Sequence, residues 1–374
     1  MRVGLNLLYL LPGRVGGSEI VAKQLVPALA KARPNDEFVA FTAREAAPVL
    51  ANEGWPDNVR IRRLNVPGAI KPARVGVEMS LLPILAKRER LDVLHSLGTT
   101  HPVALGVPGV STVLDLIYEH FPDTFPAPLR WGLRAVVGPG ARSADRVMAI
   151  SEAGKRDIVE HLRVPADKVD VVHLGFGMKP PPTITPEREL RERQGLGTKR
   201  VILCVSAAFS HKNIPRLVEA FERLDMPDTH IVVVGHAGSD QEKLAELVRA
   251  GGLDDRVTFT GWISAEDLEG LYTLASCCAY PSLFEGFGLP VLEAMARDKP
   301  LACSNLTSLP EVAGDAAELF DPLDVDAITA ALQRVLTDDE RAAELVARGR
   351  ERVKHFTWER CAEACLAVYD RAMA

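Results

Sequence analysis

Residues Val171 to Glu187 read VVHLGFGMKPPPTITPE, and this stretch divides the chain. Pro180, Pro181, Pro182 and Pro186 leave it unable to hold a helix or an inner strand. Upstream, the short β-branched runs RVGLNLL, EFVAFT, VRIRRL, DVLHS, VSTVLDL, RVMAI and VDVVHL read as strands. Between several of them lie stretches such as SEIVAKQLVPALAKA and EAGKRDIVEHL, apolar at helical spacing. Downstream the alternation restarts with VILCVS, HIVVVG, VTFTG, CCAYPS and PLACS, separated by IPRLVEAFERL, QEKLAELVRAG, AEDLEGLYTLA and LPVLEAMA, and from Asp324 the pattern is almost wholly helical. Such alternation builds βαβ units and parallel sheets. The pattern therefore predicts an α/β protein of two Rossmann-like, doubly wound domains, residues 1–178 and 179–356, with a final helical segment at 357–374. Ligands of such sheets bind beyond the carboxyl ends of the strands, and a cleft between the domains is the expected site.

Composition agrees with this reading. The 374 residues are 47% apolar and 25% charged, with 28 Gly and 26 Pro, which excludes a disordered or collagen-like chain. A net charge of −6 argues against a dedicated nucleic-acid binder. That average hides a split: residues 1–180 hold 23 basic and 18 acidic side chains, net +5, and residues 181–374 are net −11. The opening MRVGLNLLYLLPG lacks a small-residue cleavage site and reads as a buried first strand from Val3 to Leu11. No run of about 20 apolar residues occurs, so a cytoplasmic protein without a spanning segment is expected. Cys204, Cys277, Cys278, Cys303, Cys361 and Cys365 sit mostly in apolar runs and read as reduced core residues. Cys361 and Cys365 share a helix face, but no nearby Cys or His completes a tetrahedral zinc site, and no metal is expected.

Five stretches carry chemistry. GRVGGSE, Gly13 to Glu19, lies where the first strand gives way to the first helix, where glycines admit close backbone approach and free N–H groups attract an anion. The same residues also suit a plain turn with Ser18 as the N-cap. SHKN, Ser210 to Asn213, puts Lys212 between a strand and a helix, a place for a point charge against phosphate or for a merely solvated lysine. EGFGLPVLEAMA, Glu285 to Ala296, sets a GFG loop ahead of a helix that Pro290 starts, running from Leu289 to about Arg297. Glu285 projects from that loop and Glu293 lies about one turn into the helix, carboxylates suited to sugar or ribose hydroxyls. Glutamates also sit eight apart at Glu37/Glu45 and Glu351/Glu359, so context distinguishes this pair rather than spacing. SNLTSLPE, Ser304 to Glu311, is accounted for by a capping box of Ser308 and Glu311, with ligand contact additional. LDLIYEHFP, Leu114 to Pro122, offers Asp115, Glu119 and His120 as acid–base groups at a carboxyl strand end, beside aromatics that equally suit a structural histidine.

YPSLFEGFGLPVLEAMA followed by SNLTSLPEVAGDAA, with HKNIPRLVEAF upstream, closely resembles the retaining glycosyltransferases of family 4, a GT-B group that includes bacterial mannosyltransferases. The resemblance runs from GGSE to the final helix. It implies the GT-B fold, with the nucleotide sugar held mainly by the second domain, the acceptor mainly by the first, and a last helix, about Trp358 to Ala372, crossing back onto the first. It implies that Glu285 contacts the transferred sugar and Glu293 the ribose hydroxyls. Backbone amides of Phe287, Gly288 and Leu289 would hold sugar hydroxyls and diphosphate, Lys212 the diphosphate, and Gly16 or Gly17 the phosphate from the other domain. Such enzymes generally need no metal or other cofactor, because the lysine and helix dipoles neutralise the leaving diphosphate. The chain departs from the pattern twice: many members carry Gly-Arg at Ser206-Ala207 and His-Asp at Leu114-Asp115. Asp115 is kept, and His120 or Glu119 is left to fill the role of the missing histidine.

The activity implied is transfer of a hexose, from GDP-mannose first and UDP-glucose second, to a hydroxyl of a saccharide, lipid-linked or small-molecule acceptor. A nucleotide-sugar epimerase or phosphorylase of the same fold is a rival, as is a catalytically decayed sugar-nucleotide-binding protein. The positive first half, with Arg60, Arg62, Arg63 and Lys87, Arg88, Arg90, suggests an anionic or lipid-linked acceptor and peripheral association with the inner membrane face, without any nucleic-acid partner.

Overall fold

Seven parallel strands form the first sheet, in the order β3-β2-β1-β4-β5-β6-β7: β1 (Arg2–Leu7), β2 (Glu37–Thr42), β3 (Val59–Arg63), β4 (Val93–Ser96), β5 (Gly109–Val113), β6 (Arg146–Ala149) and β7 (Val169–Val171). The second sheet, also parallel, runs β10-β9-β8-β11-β12-β13, with β8 (Arg200–Val205), β9 (Thr229–Val234), β10 (Val257–Gly261), β11 (Cys277–Tyr280), β12 (Leu301–Ser304) and β13 (Glu318–Phe320). The computed structural model describes residues 1–13, 16–177, 180–238 and 240–374. Arg14 and Val15 of the glycine-rich turn, and Met178 and Lys179 at the expected domain boundary, lie outside the described residues.

The apolar runs explain the central strands. Every residue of β5 and β9 is buried, as continuous β-branched runs covered by helices on both faces require. The first strand is shorter than its apolar run. Asn6 Oδ1 accepts the Leu8 N–H at 3.2 Å and Leu7 O accepts the Leu10 N–H at 3.1 Å, so the chain turns after Leu7 although Leu8 and Leu10 stay buried. β13 has no counterpart in the sequence reading.

The chain divides into two compact units, Met1–Gly175 with Phe356–Ala374, and Phe176–His355. In the first, the helix Trp358–Met373 packs on the helix Gly17–Ala32. Its Tyr369 hydroxyl is 2.7 Å from Nδ1 of the fully buried His95, whose Nε2 is 2.6 Å from Thr112 Oγ1. Gly175 lies so close to this helix that a Cβ there would stand 2.5 Å from the Trp358 nitrogen. Cys361 and Cys365 are buried with the other four cysteines, and all six are free thiols. In the second unit, Asp324 and Asp338 cap the two closing helices through their side chains, Asp324 Oδ1 accepting the Asp326 and Ala327 N–H groups at 2.9 and 3.1 Å, and in the first unit Thr357 caps the helix Trp358–Met373 in the same way. No described helix is long and apolar enough to cross a membrane.

Candidate active site

In the second sheet the strand order reverses between β8 and β11, and the loops after these two strands flank that switch point. The loop after β8 ends in a single helical turn, Ser210–Lys212, and Asn213 then adopts φ 57 before the helix Ile214–Arg223. The Asn213 side chain does not cap that helix. Its amide donates to Pro281 O at 3.1 Å and Pro322 O at 2.8 Å, and the Leu283 N–H donates to His211 O at 2.8 Å. These bonds seam the two loops together, and they set Lys212 Nζ 2.6 Å from Glu285 Oε1. The Ser282 hydroxyl donates to the same oxygen at 2.8 Å. The two side chains are 20% and 16% exposed, partly desolvated yet reachable. His211 is buried beside this pair; burial, then the Lys212 charge, pushes its imidazole down to about 4.

The GFG loop is held from the far side by the loop after β12. Thr307, in the left-handed region at φ 55, accepts the Glu285 N–H at 3.0 Å, and the buried Ser308 hydroxyl lies 2.9 Å from Glu285 O and 2.8 Å from Phe287 O. This corrects the capping-box reading. Ser308 does precede the helix Leu309–Ala313, but its φ −86 and ψ −14 are helical and its side chain makes no cap bond. The hydroxyl instead braces the carbonyls of another loop. Gly288 sits at φ 110, where a Cβ would also meet Leu309 Cδ2 at 2.7 Å, so the helix Leu289–Met295 with Pro290 in its first turn starts where the sequence placed it.

Glu293 lies one turn into that helix and accepts the Tyr272 hydroxyl at 2.9 Å. Burial raises its carboxyl above the usual range, opposed by that hydrogen bond and by Arg297. The Arg297 guanidinium stacks 4.4 Å over the Tyr272 ring and is forked onto Glu269. At the departure Ser206-Ala207, the loop after β9 comes close enough that a Cβ on Gly235 would lie 2.5 Å from Ser206 O. Arg216, one turn beyond Lys212, donates to Asn213 Oδ1 at 2.9 Å.

In the first unit Gly16, at φ 56, precedes the helix, which begins at Gly17. Ser18 lies inside the helix and is not its N-cap. Glu19 closes the turn instead, accepting the Gly13 N–H at 2.7 Å while Lys23 reaches it at 2.9 Å. Asp115 Oδ1 accepts the Ile117 N–H at 3.2 Å and so starts the short helix Ile117–His120. Glu119 is forked onto Arg134, and His120 Nε2 is 2.9 Å from Asp157 Oδ2. The basic cluster is partly discharged within the fold, since Arg2, Arg60 and Arg62 converge on Glu89.

The structure thus joins Lys212, Glu285, Phe287 and Gly288 in one loop assembly with Glu293 on the adjoining helix. Sequence reasoning did not find the support given by Ser282, Asn213 and Tyr272. Ser282, three residues before Glu285, carried the only local signal.

Solved structures with the same two-sheet architecture define the class. The sucrose-phosphate synthase of Thermosynechococcus elongatus superposes with a TM-score of 0.76 at 23% identity, covering 99% of this chain and 98% of that one. Anabaena HepE in complex with UDP and glucose gives 0.75 at 18% identity, covering 99% of each. The fold is GT-B. Residues 15–177 match the model of glycosyltransferase family 4 and residues 186–352 that of glycosyl transferases group 1, and the chain belongs to this family of glycosyltransferases. Among relatives, it is 34% identical to O-antigen chain mannosyltransferase B of Escherichia coli over 231 residues, 61% of each chain. It is 33% identical to the MMP alpha-(1->4)-mannosyltransferase of Mycolicibacterium hassiacum over 242 residues, 63% of this chain and 56% of that one. The chain spans about three fifths of the length of these curated relatives.

Proposed function

We propose that this protein is a retaining, metal-independent hexosyltransferase that moves mannose or glucose from a nucleotide-diphosphate sugar to a hydroxyl of a saccharide, lipid-linked or small-molecule acceptor. The observation that carries this reading is the Lys212–Glu285 pair at the switch point of the second sheet, a cation and a carboxylate 2.6 Å apart. The mannosyltransferase relatives favour GDP-mannose as donor, with UDP-glucose second. In this reading Lys212 leaves Glu285 for the diphosphate, and Glu285 turns to the sugar hydroxyls. The amides of Phe287, Gly288 and Leu289 meet the sugar and diphosphate, Glu293 takes the ribose hydroxyls, and Gly16 or Gly17 offers backbone to phosphate.

The acceptor oxygen attacks C1 on the face the diphosphate leaves. The C1–O bond to phosphate breaks as the new glycosidic bond forms, and the acceptor proton passes to the departing phosphate oxygen. Catalysis is then positioning plus electrostatic stabilisation of the leaving group. Acceptor binding falls to the first unit, where Asp115 and His120 are the acid–base groups on offer. Exposed Leu81 and Ile84 beside Lys87 and Arg88 on one helix support peripheral contact with an anionic membrane.

The test is incubation with a panel of nucleotide sugars, with and without chelator, measuring released nucleotide and the anomeric configuration of the product. Acceptor-stimulated release from one donor, undiminished by chelator and lost in Glu285→Gln, supports the reading. Isomerisation without release would make the protein an epimerase, and binding without turnover a sugar-nucleotide-binding protein.

A further inference from the structure

Among the described residues, one group brings together side chains of metal-ligating type. His120, Asp157 and His161 come from two helices of the first unit, and their ligand atoms all lie within 4.8 Å of one another. Asp157 and His161 are four residues apart on the helix Glu152–Leu162 and so project from one face. His120 is supplied by the short helix Ile117–His120, its Nε2 2.9 Å from Asp157 Oδ2 and its ring edge-on to His161 with centroids 4.9 Å apart. We propose that His120, Asp157 and His161 form a binding site for a divalent cation of the zinc class.

The donor set decides the class of ion. Two imidazoles and one carboxylate suit zinc, cobalt, nickel or copper, whereas magnesium and calcium take oxygen ligands. With metal–ligand bonds of about 2.0–2.2 Å, neighbouring ligand atoms of a tetrahedral site stand about 3.3 Å apart. The His120–Asp157 contact opens slightly to reach that spacing and the wider contacts close, changes that side-chain rotation supplies. A three-ligand set leaves a fourth position, and His120 and His161 are exposed, so water can fill it.

The ion takes the place of the direct His120–Asp157 contact and cross-links segments 37 residues apart. It fixes the short helix that begins at the Asp115 turn, and while bound it removes the His120 Nε2 from proton exchange. The proposal asks nothing of the donor site, which needs no metal, so donor binding and release test that reading separately; at His120 the two assignments exclude one another, since an ion held there withdraws the imidazole from the acid–base role.

The experiment is titration of the full-length, chelator-stripped protein with zinc against a competing chromogenic chelator, alongside the absorption spectrum of the cobalt form. Expected are one equivalent of zinc bound, a higher melting temperature with zinc, no such response to magnesium, and cobalt bands without thiolate charge transfer. In Asp157→Asn, at a half-buried position, and His161→Ala, at an exposed one, each compared with its own metal-free melting temperature, zinc affinity drops by more than about tenfold. No zinc binding by the wild type, binding by both variants equal to wild type, or a thiolate-to-cobalt band would overturn the site.

Discussion

Lys212 and Glu285, 73 residues apart in the chain, meet at 2.6 Å, and Ser282 donates to the same carboxylate oxygen. Without a diphosphate, the ammonium and the carboxylate neutralise one another in a partly desolvated place. Lys212→Ala takes away the cation and strands Glu285. A charge-assisted hydrogen bond of about 1.5–3 kcal/mol corresponds to roughly a ten- to hundredfold weaker Kd for the nucleoside diphosphate. Calorimetry reads this directly, and an unchanged Kd would remove Lys212 from diphosphate binding.

Thr307 combines a left-handed backbone with the hydroxyl that accepts the Glu285 N–H. Thr307→Gly relieves the backbone cost of about 1–2 kcal/mol but deletes the acceptor. Melting temperature is expected to stay near wild type while turnover falls. Ser308→Ala, which leaves two braced carbonyls short of a donor, is expected to lower both, with about 1–3 kcal/mol lost from stability. If turnover of both variants matched wild type, the brace would have no part in positioning the GFG loop.

Glu293 is held with its carboxyl raised by burial. The folded protein therefore keeps this proton to higher pH than the unfolded chain does, and stability falls as pH rises from the ordinary carboxylate range through the raised value. Glu293→Gln keeps an acceptor for Tyr272 and removes the buried charge. Near neutral pH the variant is expected to melt higher than wild type while binding nucleotide more weakly. A lower melting temperature at neutral pH would show that the charge stabilises the fold.

His95 and His101 are buried in the first unit, and burial pushes them down to about 3 and about 4. The unfolded chain then binds more protons than the folded one, so stability is complete above about pH 6.5 and declines as pH falls toward those values. Melting temperature should decrease steadily between about pH 7 and pH 4, with a shallower slope in His101→Asn. A flat profile over that interval is the result that excludes this account.

Of the thirteen strands among the described residues, twelve could be read in advance, most because a parallel strand buried on both faces is a continuous apolar run with turn residues at its ends. β13 escaped because it is three residues at a sheet edge with Leu319 39% exposed, too short and too wet to announce itself. The GFG loop and its helix start were legible for a local reason, the need for positive φ at Gly288 followed by Pro290. Ser18 and Ser308 misled for the converse reason. Each sits in a plausible local cap pattern, yet Glu19 supplies the closing acceptor at the first turn, and Ser308 finds carbonyls 21 and 23 residues away at the second. The meeting of Lys212 with Glu285 depends on Asn213 tying two loops together, which no spacing along the chain encodes.

The helix Trp358–Met373 has a bearing on biosynthesis. It lies over the helix Gly17–Ala32 and supplies the hydroxyl that partners His95, so the first unit lacks one of its walls until residues 358–373 have been made. Phe176–His355 is contiguous and emerges whole before that helix does. The second unit can therefore set while the first still waits for the helix that seals it, so the order of closure is the reverse of the order of the two units along the chain.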